Sequence, residues 1–473
     1  TSNRPEDEEE KFIDTVSQIE SVRSNYLKFA DENISFTPTR KVQISVRDLS
    51  IGSTIRGYSQ NVATAASGIF KKKKDITFSD IESNNAIKTI LHPMSFDIPS
   101  NSITCIVGRS GSGKTTLLNC LANRKISKKS LIQTGSIKYN NEDNIDSFRH
   151  AYVIQQDILL PTLTCVETLL YSAELKLPKL TSKHERESLV NEIILTLGLK
   201  ECKDTLVGDN KNKGLSGGER RRLSVGLQLI SNPSILFLDE PTTGLDNYNA
   251  YLLCKSFQHL AKRLNKTIIM SIHQPRADIF KLFDTVLILS KGKLCYGSSY
   301  QNIIPHFNSL GFVIPETKVN PADFYVDVTS IDTRTRAQEL ESTERVRRIT
   351  DVWERQMENL SLLEDIHVCV DEMTAENIIF QDVGRAPFFR ELGILVRRNL
   401  KLQYRDPIGW FTVLFEALFL GLLCGWLFFK PGSSVAGIRS TQSSLYSTSS
   451  LQCYLFLLYE TYRLCQSDLK VFD

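Results

Sequence analysis

The sequence predicts a mainly parallel α/β domain with an inserted helical subdomain, followed by the start of an all-α region of apolar helices. Three observations predict it. Short apolar runs alternate with amphipathic helices from about Ile90 onward, as a parallel sheet buried on both faces reads. One of those runs leads directly into a glycine-rich turn and a helix. Finally, strongly apolar sequence gathers after Ile408, so the mean hydropathy of −0.17 over the whole chain averages two unlike parts.

In chain order, the first element is an acidic tail, Glu6 to Glu10, followed by Phe12, Val16, Ile19, Val22 and Tyr26 at helical spacing. That opening lacks the basic-then-apolar order of a secretory signal, and a start at Thr1 reads as trimming. Val42, Ile44 and Val46 alternate with polar residues, a strand signal. The stretch from Gly52 to Asn85 is polar and irregular. Lys71 to Lys74 within it read as a solvated loop, with contact to anionic lipid as the alternative. Ser102–Val107, Ala151–Ile154, Ile235–Leu238, Thr267–Ser271 and Thr285–Leu289 are short strands. Between the second and third lies a helical insert. Two of its helices start at capping boxes, Thr164 with Glu167 and Ser182 with Glu185. Leu189, Ile193, Ile194 and Leu197 line one face of the second, and Gly198 ends it.

The stretch from 331 to 380 is charged and helix-prone, a connector. A basic amphipathic segment then runs from Phe388 to Arg405, with Arg390, Arg397, Arg398, Lys401 and Arg405. Ile408–Phe429 is 22 residues with one charge, Glu416, long enough to cross a bilayer of about 30 Å. Its alternative is a buried core helix. Trp410, Trp426 and the upstream arginines favour the span and put its N-terminal side in the cytosol. Leu445–Leu464 is a weaker second candidate, diluted by serines and Glu460. The expected organisation is a tail and short helix (1–38), an α/β domain (39–330), a linker (331–384) and a membrane-proximal region (385–473).

Composition excludes several classes. Lys plus Arg number 57 against 54 Asp plus Glu, a net charge of +3 that gives no reason to expect a nucleic-acid partner. Ten cysteines are scattered without zinc or disulfide spacing, and seven histidines are no more clustered. A reduced, cytosolic main body follows.

Gly108-Arg109-Ser110-Gly111-Ser112-Gly113-Lys114-Thr115 matches the phosphate-binding loop pattern between a strand and a helix. Its glycines let backbone N–H groups turn inward around phosphate oxygens at the positive end of the helix. Lys114 reaches the β- and γ-phosphates, the Thr115 hydroxyl binds Mg²⁺, and Thr116 joins the phosphate contacts. Ile235 to Asp239 is an apolar strand delivering a carboxylate to the Mg²⁺ shell, with Glu240 next in line as general base. The two motifs together point to transfer of a phosphoryl group from a nucleoside triphosphate to water. Leu215-Ser216-Gly217-Gly218-Glu219 is a third capping box and a second helix start suited to an anion.

Motifs, spacing and order together resemble the nucleotide-binding domain of ABC transporters, and the Ser216–Glu219 signature sets these apart from other P-loop ATPases. The resemblance implies an α/β P-loop ABC ATPase domain with a helical subdomain, followed by the start of an all-α transmembrane domain. Gln155 resembles the glutamine linking Mg²⁺ and attacking water to the membrane domain. Gly244-Leu245-Asp246 looks like the D-loop, and His273 like the switch histidine at the γ-phosphate. Glu240, His273 and Gln155 are thus the candidate catalytic residues. Residues 108–116, Ser216, Gly217, Gly218 and Asp246 are candidates for ATP contacts, and Thr115, Gln155 and Asp239 for Mg²⁺.

The ATPase-first order, His273-Gln274-Pro275-Arg276, Asn320-Pro321-Ala322-Asp323-Phe324 and the run from Phe388 to Pro407 are similar to the G subfamily. Gly437-Ile438-Arg439-Ser440 and Leu457-Leu458-Tyr459-Glu460-Thr461 look closest to the N-terminal half of a fungal full-length member. Lys114 and Glu240 are both present, unlike the first site of the fungal pleiotropic-drug-resistance group, and imply a hydrolysis-competent site. Tyr58 and Phe70 are the aromatics considered for adenine, whose contacts stay unassigned. The resemblance implies export of a lipid, sterol or hydrophobic compound by a multi-pass protein with its ATPase in the cytosol, in a plasma or vacuolar membrane. It also implies a second ATPase half as partner, whether the missing half of the same chain, an identical copy or a different one. The chain is expected to stop inside the membrane domain. Two alternatives stay open: a truncated remnant that does not transport, and a soluble-type ABC ATPase that remodels a macromolecular partner.

Overall fold

The structure is a computed structural model that describes residues 38–54, 87–124, 131–178, 181–208, 213–315, 320–364, 387–405, 407–429 and 434–463. The helix expected at Phe12–Tyr26, the Lys71–Lys74 run, Tyr58 and Phe70 lie outside these residues.

Nine strands are described, in two sheets. Strands β1 (Ile44–Thr54), β2 (Ile87–Ile98) and β4 (Leu131–Tyr139) form an antiparallel sheet in the order β2-β1-β4. The larger sheet combines β3 (Ile103–Val107), β5 (His150–Val153), β6 (Ile235–Asp239), β7 (Thr267–Ile272), β8 (Thr285–Ser290) and β9 (Lys293–Ser299). Its order is β5-β6-β7-β3-β8-β9, parallel throughout except for the antiparallel β8–β9 pair. Every residue of β3, β6, β7 and β8 is buried. Burial on both faces is why these strands read as unbroken apolar runs. Because β5, β6, β7 and β3 are parallel, their C-terminal ends open on one edge, where ligands of open α/β sheets bind.

Helix α1 (Lys114–Leu121) follows β3, and α2 (Cys165–Lys176), α3 (Lys183–Thr196) and α4 (Gly217–Leu229) form the helical subdomain. Capping boxes at Thr164, Ser182 and Ser216 all form, each side chain accepting from the N–H three residues on. Gly198, at φ 63, terminates α3. Helix α5 (Asn247–Arg263) leads into β7, and the short α6 (Ala277–Phe280), α7 (Ile303–Ser309) and α8 (Pro321–Val328) complete the domain around β8 and β9.

Within the expected connector, the described residues from Arg336 to Glu364 are helical. Helix α9 (Arg336–Glu364) buries Val346, Ile349 and Trp353 on the core, with the Trp353 ring 5.1 Å from Tyr296 and 5.5 Å from His306. One sparse apolar face suffices, although the sequence of the helix is rich in charged residues.

Helix α10 (Phe388–Tyr404) docks on α2. Ile394 fills a small cluster with Leu163 and Tyr171. Glu167 of the first capping box accepts from Arg405 Nη1 at 2.6 Å and Nη2 at 3.0 Å, and pairs with Lys401 Nζ at 2.7 Å. Arg397 pairs with Glu174.

Two further helices follow, α11 (Pro407–Leu427) and α12 (Val435–Arg463). Counting described side chains alone, no helix is long and apolar enough to cross a membrane. Most described apolar side chains of α11 are nonetheless exposed, among them Phe411, Leu414, Phe415, Leu418, Leu422 and Trp426, while Leu420 and Cys424 are half-buried.

Candidate functional site

The glycine-rich loop joins the buried end of β3 to α1. Gly111 has φ 79, and Gly113, the N-cap of α1, has φ 100, both in the left-handed region that side chains rarely adopt. A Cβ on Gly113 would stand 2.5 Å from Leu91 Cδ2, so the turn is specified by space as well as by torsion. Helix α1 starts without a side-chain cap, which leaves its first N–H groups facing the loop. Within the loop the buried Ser112 Oγ has no hydrogen-bond partner among the described residues. Lys114 is 6% exposed, and its Nζ donates to the carbonyls of Gly108 at 2.8 Å and Arg109 at 3.2 Å. Burial pushes its pKa down, while the carboxylates of Glu240 and Asp239 oppose that shift.

Next to the loop, the ends of β6, β7 and β5 converge. Asp239, the last residue of β6, is buried. Its Oδ1 accepts from Thr115 Oγ1 at 3.1 Å and from Ser271 Oγ at 2.6 Å. Glu240 follows with φ 49, and its N–H donates to Ser271 Oγ at 2.9 Å. Gln155, just beyond β5, donates from Nε2 to Glu240 Oε2 at 2.9 Å. Thr243 Oγ1 donates to the same oxygen at 3.3 Å. Six residues from four parts of the chain thus meet at one sheet edge: Lys114 and Thr115, Gln155, Asp239 and Glu240, and Ser271. His273 is exposed one position past β7, at the same edge.

Ser216 caps α4, its Oγ accepting from the Glu219 N–H at 3.2 Å while its own N–H donates to Glu219 Oε2 at 2.8 Å. Ser216 and Gly217 are exposed, and neither they nor Gly218 bond to residues 108–116 among the described residues. The signature lies against the Gly244–Asp246 segment instead. A Cβ on Gly218 would meet Leu245 Cδ2 at 2.6 Å. Asp246 caps α5, and hydrogen bonds from Asn249 hold its carboxyl below the usual range.

Ser112 is among the residues the sequence puts forward for ATP contacts, whereas Ser271 is not. The sequence shows Ser271 only as the end of a strand. Nor does the sequence single out Arg221, one of three adjacent arginines and 2% exposed.

Thr115 and Asp239 offer a hard-oxygen pair, while no cluster of three or more His, Cys, Asp or Glu residues among those described could hold a metal. Such a pair fits Mg²⁺, which keeps waters and takes substrate phosphates, better than a metal needing a complete protein cage.

Residues 91–243 match the family described as ABC transporter, and residues 273–375 match that described as ABC-2 type transporter. An uncharacterized ABC transporter ATP-binding protein/permease of Saccharomyces cerevisiae is 44% identical over 409 residues, covering 81% of this chain and 31% of the yeast protein. ATP-binding cassette sub-family G member 8 of Homo sapiens is 35% identical over 385 residues, 78% of this chain and 56% of the human protein. ABC transporter G family member 22 of Dictyostelium discoideum is 33% identical over 390 residues, 80% of this chain and 61% of that one. The chain therefore spans less than two thirds of each of these relatives.

Proposed function

The chain belongs to the ABC transporter family, among its G-subfamily members, and from that premise we propose that it is the ATP-hydrolysing half of a membrane exporter. The observation that carries this reading is the pairing of Thr115 with Asp239 and of Gln155 with Glu240 beside the buried Lys114. Backbone N–H groups of residues 108–113 and the Lys114 ammonium hold the triphosphate. Thr115 and Asp239, with Gln155 alongside, would hold Mg²⁺, which when bound would supply neutralising charge at the phosphoryl oxygens. Gln155 orients the attacking water, and a Glu240 carboxylate oxygen takes its proton. His273 contacts the γ-phosphate from the end of β7.

Ser216 and Gly217 sit exposed at the start of α4, where N–H groups suit a phosphate presented by another ATPase half. Asp246 belongs to that same face. Closure of two halves around two ATP molecules, and reopening after hydrolysis, moves α10 through its docking on α2. The membrane reading rests on residues 408–429, with Glu416 as their only charge, and on the exposed apolar side chains of α11. An apolar surface of this extent is covered by lipid or by further helices. The proposed cargo is a lipid, sterol or hydrophobic compound, moved out of a cytosol in which the ATPase sits.

The test is Glu240→Gln in the purified chain. ATP turnover falls at least ~10²-fold while ATP affinity stays within about threefold. Turnover at the wild-type rate removes Glu240 as general base.

A further inference from the structure

Arg221 is among the largest fully buried side chains of the protein, 2% exposed and four residues past Gly217, the first residue of α4. Its Nη1 donates to the Ile154 carbonyl, to the Gln155 carbonyl at 3.3 Å and to Asp157 Oδ1 at 3.1 Å. Its Nη2 donates to the Asp239 carbonyl.

The Asp239 carbonyl and the Glu240 N–H belong to one peptide unit. Arg221 holds the carbonyl side, and Ser271 Oγ holds the N–H side at 2.9 Å. Just beyond that peptide, Glu240 has φ 49, a torsion uncommon for any residue but glycine. A conformation of that kind persists where its surroundings over-determine it. Arg221 also grips the backbone of Gln155, whose side chain bonds to Glu240 at 2.9 Å. Both members of the Gln155–Glu240 pair therefore hang from backbone held by one guanidinium.

We propose that Arg221 is the positioning residue that aims the Gln155–Glu240 pair and ties it to the helix beginning at Ser216. This rests on the ATPase reading above. Ser216–Gly218 form the first turn of the helix that carries Arg221 one turn later. A displacement of that turn on meeting an anion shifts Arg221, and with it the peptide before Glu240 and the backbone of Gln155. The occupancy of the surface at Ser216 is thereby felt at the chain's own hydrolytic pair. A role confined to the ion pair with Asp157 would explain one of the four bonds. A planar fork of donors suits acceptors arriving from several directions, which a lysine point charge meets only in part.

The experiment compares Arg221→Met, Arg221→Lys and Asp157→Asn in the full chain. It reads steady-state ATP hydrolysis, thermal unfolding, and amide exchange over residues 153–157 and 238–240. A misplacement of ~1 Å costs about 10²-fold in rate, so Arg221→Met should lose about that factor in kcat with KM for ATP within about threefold. Arg221→Lys should recover roughly tenfold of the loss, and Asp157→Asn should stay within about threefold of wild type. Exchange in both segments should rise together in Arg221→Met. Equal kcat in wild type and Arg221→Met, or faster exchange in only one segment, overturns the proposal. If Arg221→Met does not fold, Arg221→Lys decides: a kcat at least about fivefold down at unchanged KM supports the link, and a wild-type kcat removes it. A wild-type chain without ATP hydrolysis would sink the ATPase reading, while the exchange measurement still tests the link itself.

Discussion

Glu167→Gln tests the joint between α2 and α10. The carboxylate there takes a bidentate pair from Arg405, at 2.6 and 3.0 Å, and a 2.7 Å contact from Lys401. Hydrogen bonds to charged groups contribute ~1.5–3 kcal/mol when buried and exposed ion pairs ~0.2–1 kcal/mol. Glu167 is 17% exposed and Arg405 31%, so the bidentate contact falls near the boundary, at about 1.5 kcal/mol. Lys401 is 39% exposed, and solvent screening reduces its share to about 0.5 kcal/mol. The sum of about 2 kcal/mol corresponds to roughly 30-fold in the ratio of docked to undocked helix. Glutamine keeps an oxygen for the Thr164 N–H, so the cap survives and the loss is confined to the joint. A double-mutant cycle with Arg405→Met, read by amide exchange over residues 388–404, isolates the pair. The expected coupling is about 1.5 kcal/mol and shrinks in high salt. A coupling below about 0.3 kcal/mol would mean that the Glu167–Arg405 pair does not hold the helix, and that Ile394 packing with the Arg397 and Lys401 contacts does.

The same carboxylate sets a pH dependence. Burial raises its pKa, but Arg405, Lys401 and the Thr164 N–H outweigh that and hold it at about 2. The folded value lies below the unfolded ~4.3, so its stabilisation is complete above that pH and is lost as pH falls toward 2. Exchange over residues 388–404 should therefore be flat from pH 7 to 5, after correction for intrinsic rates, and accelerate between about 4 and 2. Gly113→Ala places a Cβ 2.5 Å from Leu91 Cδ2 at φ 100, and should weaken ATP binding at least ~10-fold, as isothermal calorimetry would read. Ser271→Ala orphans the Glu240 N–H and takes a donor from the buried Asp239. The expected cost of ~1–3 kcal/mol appears as a melting temperature lower by several degrees, about 2–4 °C for each kcal/mol.

What was legible in the sequence followed from how many faces an element buries. Strands β3, β6, β7 and β8 are covered on both sides, so apolar runs such as Ile235–Leu238 announce them. The capping boxes were legible because both partners lie within four residues. Strand β2 was not, since Lys88, His92, Pro93 and Asp97 break its alternation, and its pairing with β1 shifts register three times. The site divided along the same line. Lys114, Thr115, Asp239 and Glu240 announce themselves because backbone geometry and chemistry fall on adjacent residues. Arg221 belongs to a run of three arginines that reads as a solvated face. One signal within the sequence pointed inward: Arg221 lies four and eight residues before the buried Val225 and Leu229, on the apolar stripe of α4. An arginine on such a stripe has to find its acceptors elsewhere, because a buried guanidinium without them is too costly. Those acceptors are carbonyls of Ile154, Gln155 and Asp239, and no side-chain pattern along the helix can name them. A charged residue at an apolar position therefore marks a place where distant backbone must be waiting, which at this site is the backbone that carries Gln155 and Glu240.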